Sequence, residues 1–219
     1  MDPLEPIEEY RKAEWLSFEQ SPYFDERRMA ILEAKPLKLI FEGKEPWLCA
    51  ICGVLWSVGH GGSVLQIGCG LGQQVEAIER WAPGIPYTGA DVSDRCLAVC
   101  RRRRPDVAWL KASYPDLPEI VDDSFDIALL GSILRYYFPE NGMRLIRAAQ
   151  RIARKAVVLG LWDPMVERDE PVATSDGRGG YFVRWPAAMQ AEIEALGHLA
   201  TIQVPHSLWP TRRLLVVTR

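Results

Sequence analysis

The chain has 219 residues, 48% of them hydrophobic, and its 26 Lys and Arg against 29 Asp and Glu give a formal net charge of −3. That length suits a single core, which stops growing beyond roughly 250 residues, and the acidic balance disfavours a dedicated nucleic-acid binder. Five cysteines, odd in number and irregular in spacing, argue against a disulfide framework, and the longest apolar run, Trp47 to Val58, is shorter than the roughly 20 residues of a membrane span.

Residues 1–60 read as a helical N-terminal extension, part of the same domain as the remainder. Its start, MDPLEPIEEYRK, is acidic and lacks the apolar segment of a signal peptide, so a cytoplasmic location is expected. The aromatics Tyr10, Trp15, Phe18, Tyr23 and Phe24 can form a lid, or simply pack on the domain behind them. Lys44 to Val58 is an apolar helix, stopped by Gly61 and Gly62. Within it Cys49 and Cys52 form a C-x-x-C that, with Cys96 and Cys100, offers four thiols. Their apolar neighbours favour buried thiols over zinc, and no metal is expected.

From residue 61 onward, strands and helices alternate. SVLQIG, IPYTGADVS, VAWLKAS, FDIALLG and KAVVLGLW read as strands; QQVEAIERWA, RCLAVCRRRR and a helix through MRLIRAAQRIAR lie between them. Such alternation implies βαβ units and a parallel sheet covered on both faces. Asp163 to Gly180 reads as a polar loop and PAAMQAEIEALG as a helix. LATIQVPH and RRLLVVTR then follow as strands joined by SLWPT, a link short enough to require antiparallel pairing. The expected fold is therefore α/β: a seven-stranded, mostly parallel, Rossmann-like sheet with an antiparallel C-terminal strand and helices on both faces.

The strongest local signal is VLQIGCGLG, in which a strand runs into Gly68, Gly70 and Gly72 and a helix follows. Glycines there let backbone approach a ligand, and the helix presents free N–H groups to it. A dinucleotide fingerprint requires its third glycine three residues after the second; Gln73 occupies that position here. Asp91, at the tip of the second strand, can accept hydrogen bonds from ribose hydroxyls, although an Asp so placed is often only a helix cap.

G-x-G-x-G after a hydrophobic strand resembles motif I of class I S-adenosylmethionine-dependent methyltransferases. The resemblance runs from Ser63 to the C-terminus, through VAWLKASYPDLP, DDSFDIALLGSILRYY and the two closing strands. It implies S-adenosyl-L-methionine as cofactor, held by Gln66, Gly68, Cys69, Gly70, Gly72, Asp91, Val92, Ser113, Tyr114, Gly131 and Ser132. In the same comparison Tyr114 offers its backbone N–H to the adenine ring, Asp126 caps the start of the fourth strand, and Gly131 and Ser132 lie beside the methionine end. Two positions depart from the family pattern: Gln66 and Ser113 stand where acidic residues are usual. A looser resemblance, carried by the aromatic N-terminal helices, WLCAICGVLW and LLGSILRYY, is to an uncharacterised bacterial group of methyltransferase homologues associated with surface-polysaccharide genes.

Methyl transfer is mostly a matter of alignment, with a base needed for a hydroxyl or amine acceptor. His206, at the end of the sixth strand, is the preferred base, while Tyr136, Tyr137 and Asp163 are candidates for the acceptor pocket. His60 and His198 fall at the opposite end of the sheet. Arg101 to Arg104 reads as a solvated face. No Asn/Asp-Pro-Pro-Tyr/Phe follows the fourth strand, where Leu130-Gly131-Ser132-Ile133 stands, so a small-molecule acceptor is expected rather than nucleic acid, and no membrane. The competing expectation is a catalytically retired fold acting as a binding or scaffold partner, for which Gln66 and Ser113 are the support.

Overall fold

The computed structural model describes residues 45–131, 133–161, 171–175, 181–186, 188–204 and 212–218. Residues 1–44, where the sequence predicts helices, lie outside them with the aromatics Tyr10, Trp15, Phe18, Tyr23 and Phe24, as do Ser132, Asp163 and His206. In chain order the elements are α1 (Glu45–Gly59), β1 (Val64–Ile67), α2 (Gln73–Trp81), β2 (Tyr87–Asp91), α3 (Asp94–Arg103), β3 (Ala108–Lys111) and β4 (Phe125–Leu130). After a 3-10 turn at Leu134–Tyr136 come α4 (Pro139–Ile152), β5 (Ala153–Leu161), β6 (Val172–Ser175), β7 (Tyr181–Arg184), α5 (Met189–Glu194), β8 (His198–Val204) and β9 (Arg212–Thr218).

The main sheet has the order β3-β2-β1-β4-β5-β9-β8. Pairings from β3 through β5 are parallel, whereas β9 pairs antiparallel with both β5 and β8. Six strands therefore run one way and β9 alone runs the other, as its short link to β8 requires. Successive residues alternate between the two faces. Leu65, Ala128, Val157 and Leu215 join α4 on one side, while Val64, Ile127, Val158 and Leu214 join α1 and α2 on the other. The apolar helix α1 is thus a layer of the domain: Trp47, Leu48, Ile51, Cys52 and Leu55 are buried on it.

Two expectations need correction. The segment read as a polar loop from Asp163 to Gly180 contains β6, which pairs antiparallel with β7 from Val172↔Arg184 to Ser175↔Tyr181. Trp185, just past β7, donates Nε1 to the Tyr137 carbonyl at 2.8 Å and packs on Gly142 of α4, where a Cβ would lie 2.0 Å from its ring. Cys49 is exposed rather than buried; Cys52, Cys69, Cys96 and Cys100 are buried free thiols. Three helical positions turn the backbone by about 300°, so a C-x-x-C on an amphipathic helix can put one thiol in the core and the other outside it. The Cys52 thiol donates to the Ala77 carbonyl, and burial pushes it up to about 12.

Candidate active site

In a parallel sheet, binding residues gather at the carboxyl ends of the strands, and here β1, β2, β3 and β4 end together. Gly68, Gly70 and Gly72 all have positive φ, at +74°, +54° and +72°. They answer different demands. A Cβ on Gly68 would lie 2.6 Å from Ile133 Cδ1, and one on Gly72 would lie 2.6 Å from the Trp109 ring. A Cβ on Gly70 would meet nothing within 4 Å. The protein's own packing explains the outer pair, while the face at Gly70 is open.

Asp91 organises this loop. Its Oδ2 accepts from the Gly70 N–H at 2.8 Å and its Oδ1 from the Ser93 N–H at 2.9 Å. Ser93, not Asp91, caps α3 by accepting from the Cys96 N–H, so the Asp carboxylate is not consumed as a helix cap. Burial pushes Asp91 up to about 6, against the pull of the Ser93, Gly70 and Val92 backbone donors and the Lys111 charge. A carboxylate has about four acceptor sites, so it keeps room for another donor.

The buried Gln66 accepts the Tyr87 hydroxyl through Oε1. A neutral amide suits that position, because burying a carboxylate against a single hydroxyl leaves most of its charge uncompensated. Tyr114 uses its side chain as a strut: the hydroxyl accepts from the Gly68 N–H at 2.8 Å and donates to the Ala90 carbonyl at 3.2 Å. Burial holds its pKa well above the ordinary tyrosine value. Ser113 gives its N–H, at 3.0 Å, and its hydroxyl to the two carboxylate oxygens of Glu119. Cys69 is buried in the glycine loop, and Val92 offers its carbonyl to Lys111 Nζ at 2.6 Å.

Gly131 ends β4 against α2, where a Cβ would lie 2.6 Å from Gln74 Nε2. The buried Oε1 of Gln74 has no hydrogen-bond partner among the described residues. An unpaired acceptor beside two glycine turns is what a cationic or N–H-bearing ligand group requires. The residues therefore fit S-adenosylmethionine: a glycine turn, a buried carboxylate at the tip of β2 and an unpaired acceptor beside Gly131. Beyond β4, Tyr137 is 3% exposed and meets Tyr114 edge-to-face, whereas Tyr136 is partly exposed with the Arg135 guanidinium 5.5 Å from its ring. Gln74, Glu119 and the Tyr114 hydroxyl escaped the sequence reading. An isolated polar residue carries no periodic signal, and these three matter only through what the fold brings beside them.

Asp126 works at the opposite edge. Its Oδ2 accepts from the Ser63 N–H at 2.9 Å and hydroxyl at 3.2 Å, and Arg154 pairs with it. It joins the starts of β1, β4 and β5, as expected of a strand cap. At the end of α3, Arg104 pairs with Glu79 and Asp106.

Residues 64–156 match the model of a methyltransferase domain family. Over 112 residues the chain is 32% identical to the bifunctional methionine biosynthesis protein MetXA/MetW of Rhodopirellula baltica; the match spans 48% of this chain and only 18% of that relative. Among solved structures, the fold resembles Burkholderia thailandensis 1,6-didemethyltoxoflavin-N1-methyltransferase, with its substrate and S-adenosylhomocysteine bound, at TM-score 0.63 and 18% identity, covering 100% of this chain and 92% of that one. It also resembles magnesium protoporphyrin IX methyltransferase of Synechocystis PCC 6803 with bound S-adenosylmethionine, at TM-score 0.64 and 14% identity, covering 100% and 99%.

Proposed function

We propose that this chain, whose residues 64–156 match a methyltransferase domain family, is a class I S-adenosylmethionine-dependent methyltransferase that methylates an oxygen or nitrogen of a small-molecule acceptor. The observation that carries this reading is the arrangement at Gly70, whose open face stands beside the buried Asp91 carboxylate. The two solved relatives named above have small-molecule substrates in common.

Bound S-adenosylmethionine supplies a methyl group on a sulfonium centre, already activated for in-line displacement. The chain's task is then to bind and align. Asp91 would accept the ribose hydroxyls with the carboxylate capacity that its backbone donors leave free. Gln74 would take an N–H of the ammonium end through its unpaired Oε1. Gly131, just past β4, lies against Gln74. His206 is our general base: β8 runs parallel to β1–β5, so its end at Val204, two residues earlier, points to the cofactor edge. Asp163, two residues after β5 in the sequence, and the partly exposed Tyr136 beyond β4 are the proposed acceptor side, with the buried Tyr137 next in the chain. The aromatic residues 10–24 are its proposed cover.

Tyr87 and Glu119 satisfy Gln66 and Ser113 within the fold, and the competing reading of a retired fold is decided by cofactor binding. Thermal unfolding with S-adenosylmethionine, S-adenosylhomocysteine and NAD tests the cofactor. A ligand at 100 times its Kd stabilises by about 2.7 kcal/mol, several degrees for a domain of this size. The expected shift comes with both adenosyl compounds and not with NAD; no shift at millimolar concentration overturns the reading. Transfer from labelled cofactor to a panel of small hydroxyl and amine compounds then finds the acceptor. On that acceptor, His206→Gln is expected to lower kcat and leave S-adenosylhomocysteine affinity unchanged.

A further inference from the structure

The departure at residue 113 leads to a different residue. Strand order runs β3-β2-β1-β4, with strands about 4.8 Å apart. A cofactor with its ammonium end near β4 and its ribose on Asp91, at the tip of β2, must carry its base onward to the tip of β3. The chain there is Ala112-Ser113, joined to β2 by the Ala112 N–H bond to the Asp91 carbonyl at 3.1 Å. Ser113 is exposed, and both of its donors are spent on Glu119.

We propose that Glu119, anchored on Ser113, carries the charge that accepts the adenine 6-amino group, and so selects adenosyl over deaminated cofactors. This rests on the function proposed above.

The loop is built to present that carboxylate. Leu117 N–H returns to the Ser113 carbonyl at 2.9 Å, and Ile120 N–H to the Leu117 carbonyl at 3.2 Å, which curls residue 119 back over residue 113. Leu117 itself is fully buried. From α4, Arg144 pairs with Asp116, while Arg151 donates to the carbonyls of Asp116, Leu117 and Ile120 at 3.2, 2.9 and 2.9 Å. Each Glu119 oxygen takes one bond from Ser113 and keeps a lone pair. The Ser113 hydroxyl, having donated, becomes a better acceptor in turn. Partial desolvation opposes ionisation of Glu119, but the Ser113 hydroxyl and N–H outweigh it, so the carboxyl lies below its usual range and is charged at neutral pH. Adenine offers an amine to that charge; a 6-oxo purine offers an oxygen, which it repels.

The test is calorimetric titration of the full chain with S-adenosylhomocysteine and S-inosylhomocysteine. Wild type is expected to prefer the adenosyl compound by roughly tenfold or more, as for a hydrogen bond to a charged group. Glu119→Gln, whose amide can serve the 6-oxo group, is expected to erase or reverse that preference, and Ser113→Asp/Glu119→Gln to restore it. Ser113→Ala, which frees the carboxylate, gives an intermediate ratio, and melting curves without ligand establish that each variant is folded. A wild-type preference retained by Glu119→Gln, or no preference in wild type, overturns the assignment of Glu119 while leaving the methyltransferase reading intact. Binding of neither compound by wild type overturns that reading itself.

Discussion

Gln66 and Asp91 sit one strand apart, both almost fully buried, and only one of them is an acid. The difference follows from their donors. Asp91 receives two backbone N–H groups within 2.9 Å, whereas Gln66 receives the Tyr87 hydroxyl. Gln66→Glu, which restores the common family residue, is therefore expected to destabilise the fold by about 1–3 kcal/mol at neutral pH. Burial raises the pKa of such a carboxyl, so the loss should shrink as pH falls and the group protonates. Urea unfolding at pH 5 and pH 8 measures it; equal midpoints for variant and wild type at both pH values would refute the argument. Asp91 itself predicts a pH dependence of binding. Ribose hydroxyls favour its ionised form, and with a pKa of about 6 the affinity for S-adenosylhomocysteine should fall nearly tenfold per unit below that pH. Titrations at pH 5 and 7.5 should differ accordingly, and Asp91→Asn should bind weakly at both.

At the level of elements, Trp185 is the largest side chain, among the described residues, that ties the β6–β7 hairpin to α4. Trp185→Ala removes a ring that is 5% exposed together with its bond to the Tyr137 carbonyl. The expected cost is about 3–5 kcal/mol, read as a lower urea midpoint, with limited proteolysis shifting toward residues 172–184. A midpoint equal to wild type would mean that the hairpin docks by other contacts. This hairpin was also the element hardest to see in the sequence. The central strands were legible because they are buried and largely apolar, as in VLQI and FDIALL, where one polar residue each interrupts the run. VATS and YFVR are four residues each, and around them lie the charges and glycines of a loop. The glycine turn and Asp91 were legible for a related reason: backbone shape and strand tips leave a mark at fixed offsets. Glu119 left none, because only the return of a loop brings it to Ser113.

Across the whole molecule the two edges of the sheet respond oppositely to acid. Asp126, at the structural edge, is held at about 2, chiefly by Arg154 and, against some desolvation, by the Ser63 N–H and Lys155. Its folded pKa lies below the ordinary value, so its contribution to stability is present above about pH 4 and is lost as pH falls toward 2. Asp91 is raised, so its contribution is present at low pH and lost as pH climbs through about 6. Asp126→Asn should therefore flatten the acid limb of a stability–pH curve between about pH 4 and 2 and leave the limb near pH 6 in place. Loss of both limbs together would show that the edges are not independent.

The place of β9 has a consequence for how the chain is made. It lies between β5 and β8, although β8 precedes it in the chain. During synthesis the sheet can assemble from β1 to β5 as each strand leaves the ribosome, but β8 then has no neighbour to join. It must wait, with its pairing groups unmet, until residues 212–218 emerge and slide between it and β5. At roughly 5–20 residues per second that delay is about a second, long enough for a chaperone to hold the nascent protein at that step.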